Sequence, residues 1–341
     1  MRLIQFQTRE KGRRVGVVDG DTVYDITEQN PRWDRIHTIF LEARGSERTI
    51  EQHIAHSGFR SGNLTYDYRE LLLRRPGDRD GWLLPSIDHP DPAHCTIVVT
   101  GLTHLGSVSQ RDKMHKLDDS PKTDSQKMFE MGLKGGKPRP GVKGIQPELC
   151  YKGTGTILRG HNDFLEIPSF SEDCGEEPEI VGCYIIGYDG IPYRIGFATG
   201  NEWSDHAMER INYLWLGHSK LRTCAIGPEL ITDQLFGDIR GYCRIFRGLQ
   251  MIYDSGQLLT GEEHMNHSLV NLEDHFFKYP QFRTPGDVHI YFFGTMKFSF
   301  GKRDLLQDDD RVEIQFEGMG SPLVNYVKRI SSDFPTAVRR G

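Results

Sequence analysis

The sequence predicts an α+β protein that is mostly β. Three observations carry this expectation. Thirty-seven glycines in 341 residues suit many turns and short strands better than a helical bundle. Short apolar runs alternate with polar residues and end at Asp-Gly turns, as in Val15-Gly16-Val17-Val18-Asp19-Gly20. A hydrophobic share of 37% is enough for a real core in one large domain or two medium ones.

The elements follow in order. Leu3-Ile4-Gln5-Phe6, Val15-Gly16-Val17-Val18 and Thr22-Val23-Tyr24-Asp25-Ile26 read as strands. Residues 35–58 and 68–73 read as helical. Breakers between 74 and 92, including Arg75-Pro76-Gly77-Asp78 and His89-Pro90-Asp91-Pro92, place a boundary between a small module, 1–92, and a main domain, 93–341. The apolar strand Cys95-Thr96-Ile97-Val98-Val99-Thr100 opens the main domain. Residues 111–144 are polar and rich in Lys, Gly and Pro, and read as a long irregular segment, either a functional lid or a plain surface insertion. Residues 180–186 and 193–199 form a hairpin about the turn Tyr188-Asp189-Gly190. Residues 204–215 and 265–278 read as helices, and 287–294 and 311–316 as late strands.

Charge and cysteine usage exclude several classes. Forty-two Lys and Arg against 48 Asp and Glu give a net charge of −6, which argues against nucleic acid or an anionic membrane as partner. No apolar run approaches the ~18 residues of a membrane-spanning helix. The first residues lack the apolar core of a secretory signal. The six cysteines form no CxxC pair and are expected to be reduced thiols of a cytoplasmic protein.

The sharpest chemical signal is Glu177-Pro178-Glu179. In an extended chain these carboxylates share a face. With the hairpin centred between Asp189 and Gly190, Glu177 falls opposite Glu202. Three carboxylates then converge, which suits a hard, oxygen-seeking ion such as Mg²⁺ or Mn²⁺. The alternative is a solvated acidic strand edge, which Pro178 fits. Such an ion would chelate a 2-oxo acid and stabilise an enolate, and a base is then needed. Lys220, desolvated beside the ion and so lowered in pKa, and Glu148 are the acid/base candidates; a surface lysine is the plainer reading. Dinucleotide, P-loop, HExxH and GxSxG motifs are absent. His264 and His267 stand three apart near a helix start and read as capping or polar-face residues rather than a zinc pair.

An ordered set of motifs between 101 and 327 resembles the catalytic domain of the fumarylacetoacetate hydrolase superfamily. The set comprises Gly101-Leu102-Thr103-His104, Tyr151-Lys152-Gly153, Phe170-Ser171-Glu172-Asp173 and the Glu177/Glu179 pair. It continues with Gly200-Asn201-Glu202-Trp203-Ser204, Lys220 before Gly227-Pro228, Phe293-Gly294-Thr295, and Gly318-Met319-Gly320-Ser321-Pro322. The resemblance implies a rolled mixed sheet around a metal held by Glu177, Glu179 and Glu202, the last in place of the family's usual aspartate. It implies Thr295, with Gly294, at the substrate carboxylate, Lys220 beside the metal, and a homodimer.

The hydrolases of the family carry a His-Glu pair where this chain has Ser107 and Gln110, neither of which serves as a base at neutral pH. The resemblance is therefore to the sugar-acid dehydratase branch. It implies dehydration of a small-molecule 2-keto-3-deoxy-pentonate, of arabinonate or xylonate type, to 2-oxoglutarate semialdehyde in pentose catabolism. His104 and Ser107 would lie at the substrate. The alternative is an acylpyruvate-type hydrolase or a decarboxylase of a 2-oxo diacid that uses His104.

Overall fold

The computed structural model describes residues 1–61, 64–106, 109, 122–331 and 336–341. The first three expected strands form an antiparallel meander of Arg2–Thr8, Gly12–Asp19 and Thr22–Asp25. Their alternation puts Leu3, Val15 and Val17 against one core and Ile4, Phe6 and Val18 against another. The meander does not end at the breakers. Arg2 and Leu3 pair with Ile231 and Leu230 of the strand Cys224–Ile231, so one twelve-stranded sheet runs through residues on both sides of position 92.

That sheet continues through Pro192–Asn201, Pro178–Ile186, Val288–Phe292, Cys95–Val99 and Cys150–Thr154. It is mixed, because Val288–Phe292 and Cys95–Val99 run parallel whereas the hairpin is antiparallel. The strand Pro178–Ile186 is buried along its whole length and serves two cores. Ile180, Tyr184 and Ile186 face Ile239, Ile245, Ile314 and Phe316 of a second, six-stranded sheet. Val181, Cys183 and Ile185 face the helices Ile36–Gly45 and Ile50–His56 through Ile36, Ile39 and Ile54. Burying each such side chain contributes about 1.5–3 kcal/mol. Truncating one, as in Ile180→Ala, costs about 2–5 kcal/mol.

The helical expectations hold with changed boundaries. Residues 35–58 are two helices, broken where Glu47 takes a φ of 54° and restarted by a reciprocal cap between Thr49 and Gln52. The helix expected over 265–278 is Leu269–Phe277, capped by Ser268. The helix expected over 204–215 is shorter, His206–Ile211, followed by a 3₁₀ turn, Tyr213–Trp215, and the single turn Leu216–Ser219.

The largest correction concerns residues 111–144. Residues 111–121 lie outside the described residues, but Asp124–Gly135 is a helix rather than irregular chain. Thr123 and Gln126 cap it reciprocally, and Ser125, Phe129 and Gly132 form its buried face. A Cβ on Gly132 would lie 2.4 Å from Asn266 Nδ2, so glycine permits this packing. The Gly-rich stretch after it is tied down: Ser268 N–H donates to Gly136 O at 2.9 Å and Asn271 Nδ2 to Ile145 O at 2.9 Å. His267 is buried beside these glycines rather than on a polar face, bonded to Asn271, and His264 bonds Asp238 instead. All six cysteines are free, and among the described residues no helix is long and apolar enough to cross a membrane.

Candidate active site

The hairpin delivers the carboxylates. Its register pairs Pro178 with Asn201, and the next step brings Glu202 N–H to within 3.0 Å of Glu177 O. The pairs next to the turn, Ile186 with Pro192 and Tyr184 with Arg194, are centred on residue 189, and a bulge between Cys183 and Tyr184 then moves the pairing by one residue, which sets Glu177 opposite Glu202 rather than Asn201. Glu177, Glu179 and Glu202 are buried, and one oxygen of each lies within 4.8 Å of the others. They are not a solvated strand edge.

Two lysines meet this cluster. Lys220 Nζ lies 2.5 Å from Glu177 Oε1 and 2.8 Å from Glu202 Oε2. Burial alone pulls its pKa down, but those carboxylates outweigh burial and hold it well above the ordinary lysine value, the reverse of the depression expected from desolvation. Lys152, 0% exposed, donates to Glu202 Oε1, Trp203 O and Lys220 O at 2.7–2.8 Å. It therefore fixes one carboxylate and the backbone that carries Lys220. Its motif, Tyr151-Lys152-Gly153, was visible in the sequence, but nothing local marked the lysine as buried.

The two carboxylates of the Glu-x-Glu pair are driven apart. Glu177 accepts from Lys220 and lies 3.2 Å from His206 Nε2; although burial opposes it, the Lys220 charge and these hydrogen bonds bring its pKa well below the carboxylate range. Glu179 accepts the Gly294 N–H at 2.7 Å. Burial first, and then the charges of Glu202 and Glu177, push its pKa well above the ordinary range. Three crowded, buried carboxylates form an oxygen donor set that a divalent cation would relieve. The residues therefore fit Mg²⁺ or a similar ion.

A cavity opens beside this cluster. It is lined by Thr100, Glu148, Glu177, Glu202, His206, Glu209, Lys220, Thr295 and Phe298, among others. The expected metal ligands, both acid/base candidates and Thr295 thus lie in or against one space. Gly294 has a different part: its φ of 96° and a would-be Cβ only 2.1 Å from Thr103 Oγ1 require glycine, and its amide is spent on Glu179. His104 does not line the cavity. It is 1% exposed, with Nδ1 at Thr103 Oγ1 and Nε2 at Thr260 Oγ1, and burial pushes its pKa down to about 3. A neutral imidazole held on both nitrogens is a poor base for a substrate it does not face. Ser107 and Gln110 lie outside the described residues.

Several lining groups were not legible beforehand. His206 stacks on Phe298 with centroids 4.5 Å apart and planes 3° from parallel, which orients Nε2 at Glu177. Glu209, buried, brings a further carboxylate. Tyr213 donates its hydroxyl to Glu148 Oε1 at 2.8 Å. His206 and Glu209 follow Glu202 in sequence, and helical spacing puts them on one side. Only the packing of that helix says which side.

No family model matches the sequence. Among curated proteins, the chain is 24% identical over 187 residues to the 2-dehydro-3-deoxy-D-arabinonate dehydratase of Saccharolobus solfataricus. The match spans 54% of this chain and 60% of that enzyme's length. Among solved structures, a 2-keto-3-deoxy-D-arabinonate dehydratase complexed with magnesium and 2,5-dioxopentanoate superposes with a TM-score of 0.69 at 19% identity, over 97% of this chain and all of that one. A fumarylacetoacetate hydrolase from Exiguobacterium antarcticum superposes with a TM-score of 0.60 at 16% identity, over 97% of this chain and 100% of the other. The chain has the fold of the fumarylacetoacetate hydrolase superfamily, and the comparisons name the same dehydratase group as the ordered motifs.

Proposed function

We propose that the protein is a metal-dependent hydro-lyase that dehydrates a 2-keto-3-deoxy-pentonate. The observation that carries this reading is the cluster of three buried carboxylates, two of which, Glu177 and Glu202, line one cavity together with Lys220 and Glu148. The names of the similar proteins support the substrate class. Glu177, Glu179 and Glu202 would hold Mg²⁺, with Mn²⁺ as an alternative ion. When bound, the ion supplies Lewis-acid charge at the carboxylate and keto oxygen of the substrate, which acidifies the C3 protons.

The chain's own residues do the rest. Lys220 and Glu148 face the cavity and form the proton-transfer pair. One removes a C3 proton. The other protonates the C4 hydroxyl, the C4–O bond breaks, and water leaves. The C3=C4 product then shifts its double bond toward C5 and tautomerises to the C5 aldehyde, giving 2-oxoglutarate semialdehyde. Thr295, on the cavity wall, would orient the substrate carboxylate. Lys152 and His206 keep Glu202 and Glu177 aimed inward. The buried walls exclude bulk water, so each charge acts at full strength. A place in pentose catabolism, cytoplasmic location and assembly as a homodimer complete the proposal.

The experiment is a coupled assay. Purified protein, Mg²⁺ and a 2-keto-3-deoxy-pentonate of each C4 configuration are mixed with a semialdehyde dehydrogenase and NADP⁺. EDTA-sensitive cofactor reduction is expected with one configuration. Silence with both configurations and every divalent ion, together with cleavage of an acylpyruvate, would replace this reading by the hydrolase.

A further inference from the structure

Glu148 stands in an extended segment that joins the helix Asp124–Gly135 to the strand Cys150–Thr154, and it belongs to neither element. A carboxylate on such a segment has several rotamers within reach, and proton transfer tolerates little misplacement. The insert between the strands Ser204–Asp205 and Cys224–Ile231 supplies the constraint. It begins with His206 on Glu177, carries Glu209 on the cavity wall, and ends at Lys220 among the carboxylates. Midway, the 3₁₀ turn Tyr213–Trp215 is fixed by Asn212, whose side chain accepts the Leu214 N–H at 3.0 Å and whose carbonyl accepts the Trp215 N–H at 2.9 Å. From that turn the half-buried Tyr213 reaches Glu148 Oε1 at 2.8 Å.

We propose that Tyr213 is the positioning residue that orients Glu148 toward the cavity, so that one short insert sets both members of the proton-transfer pair. The proposal rests on the reading of Glu148 as a proton-transfer group. Because the same insert carries Lys220, a shift of the turn would move both groups together. Phenylalanine at 213 keeps the ring and removes the hydroxyl that makes this bond.

The test uses the full chain with Mg²⁺ and three variants: Tyr213→Phe, Glu148→Gln and the double variant. Tyr213→Phe should lower kcat by about 10- to 100-fold, the scale of a misplaced catalytic group, with KM and Mg²⁺ affinity by calorimetry within about twofold of wild type. The double variant should be no slower than Glu148→Gln, because Tyr213 acts through Glu148. Wild-type kcat in Tyr213→Phe, or the same fold-loss in the Glu148→Gln background, would overturn the proposal and leave the dehydratase reading standing. A thermal double-mutant cycle on the same proteins needs no substrate; additive shifts in Tm would also overturn the contact. Absence of turnover by the wild type would instead overturn the function, and with it the catalytic sense of this pair.

Discussion

Two buried carboxylate clusters stand on the same sheet and have opposite character. At the edge where the N-terminal strand joins, Glu229 is fully buried and fully satisfied. It accepts from Arg2 at 2.5 and 2.9 Å, from the Tyr68 hydroxyl at 2.6 Å and from the Ser321 N–H at 3.0 Å. Charge and hydrogen bonds balance, and the result is a clasp between residues 2, 68, 229 and 321. Beside the cavity, Glu177 and Glu202 share two ammonium groups, and Glu179 is left to a backbone amide and the repulsion of its neighbours. The contrast recurs within a single tripeptide. Glu176, next to Glu177 but on the opposite face, is matched by the Ser299 N–H and hydroxyl at 2.7 and 2.6 Å. A saturated buried carboxylate stabilises structure; a crowded one waits for a cation or a substrate.

The strongest way to break this comparison is at the crowded site. Glu179→Gln and Glu177→Gln should each reduce Mg²⁺ affinity by at least about 10²-fold, as loss of a ligand exceeds the loss of its supporting bonds. Activity in the coupled assay should fall to background. Retention of either by both variants would mean that these residues hold no metal.

At the saturated site the effect should fall on stability alone. Glu229→Ala should cost about 3 kcal/mol in urea denaturation, the low end for a broken buried pair, because Arg2 can rehydrate. Mg²⁺ should stabilise this variant as it does the wild type, by about 2.7 kcal/mol at a hundredfold excess over Kd. Glu179→Gln should lose that response. Equal Mg²⁺ responses in the two variants would erase the distinction between the clusters.

Buried histidines sharpen it through pH. Burial brings His289, His267 and His161 down to about 4 from 6.5. Between those values the unfolded chain binds more protons. The stability from their neutral burial is therefore complete above about pH 6.5 and is lost as pH falls toward about 4. The Tm should decline from about pH 7 to about pH 5. His289 lies among Phe276, Phe277 and Phe282 with neither nitrogen bonded, so His289→Phe should flatten the decline. An unchanged slope would show that other groups set it. The smallest effect expected is Thr123→Ala, which removes one helix cap and should cost about 1 kcal/mol without altering Mg²⁺ affinity.

What the sequence by itself determined was whatever rests on local periodicity and on hairpin arithmetic. Alternation marks the N-terminal meander, and the period of two in paired strands puts Glu177 and Glu179 on one face near a return strand that leads to Glu202, although the pairing of Glu177 with Glu202 itself needs the bulge at Cys183 and Tyr184. The convergence of Glu177, Glu179 and Glu202 was legible for that reason. Tertiary structure alone decided the remainder. The helix Asp124–Gly135 looked irregular because its polar face and flanking glycines hide a narrow buried stripe that packs on Asn266. Lys152 comes from a strand at the far end of the sheet order, and Tyr213 from a 3₁₀ turn distant in sequence from Glu148. His104 ends a motif yet turns into the core, where two threonines hold it. Such placements depend on which elements stack against which, and burial sets the charge state of each group only once that stacking exists.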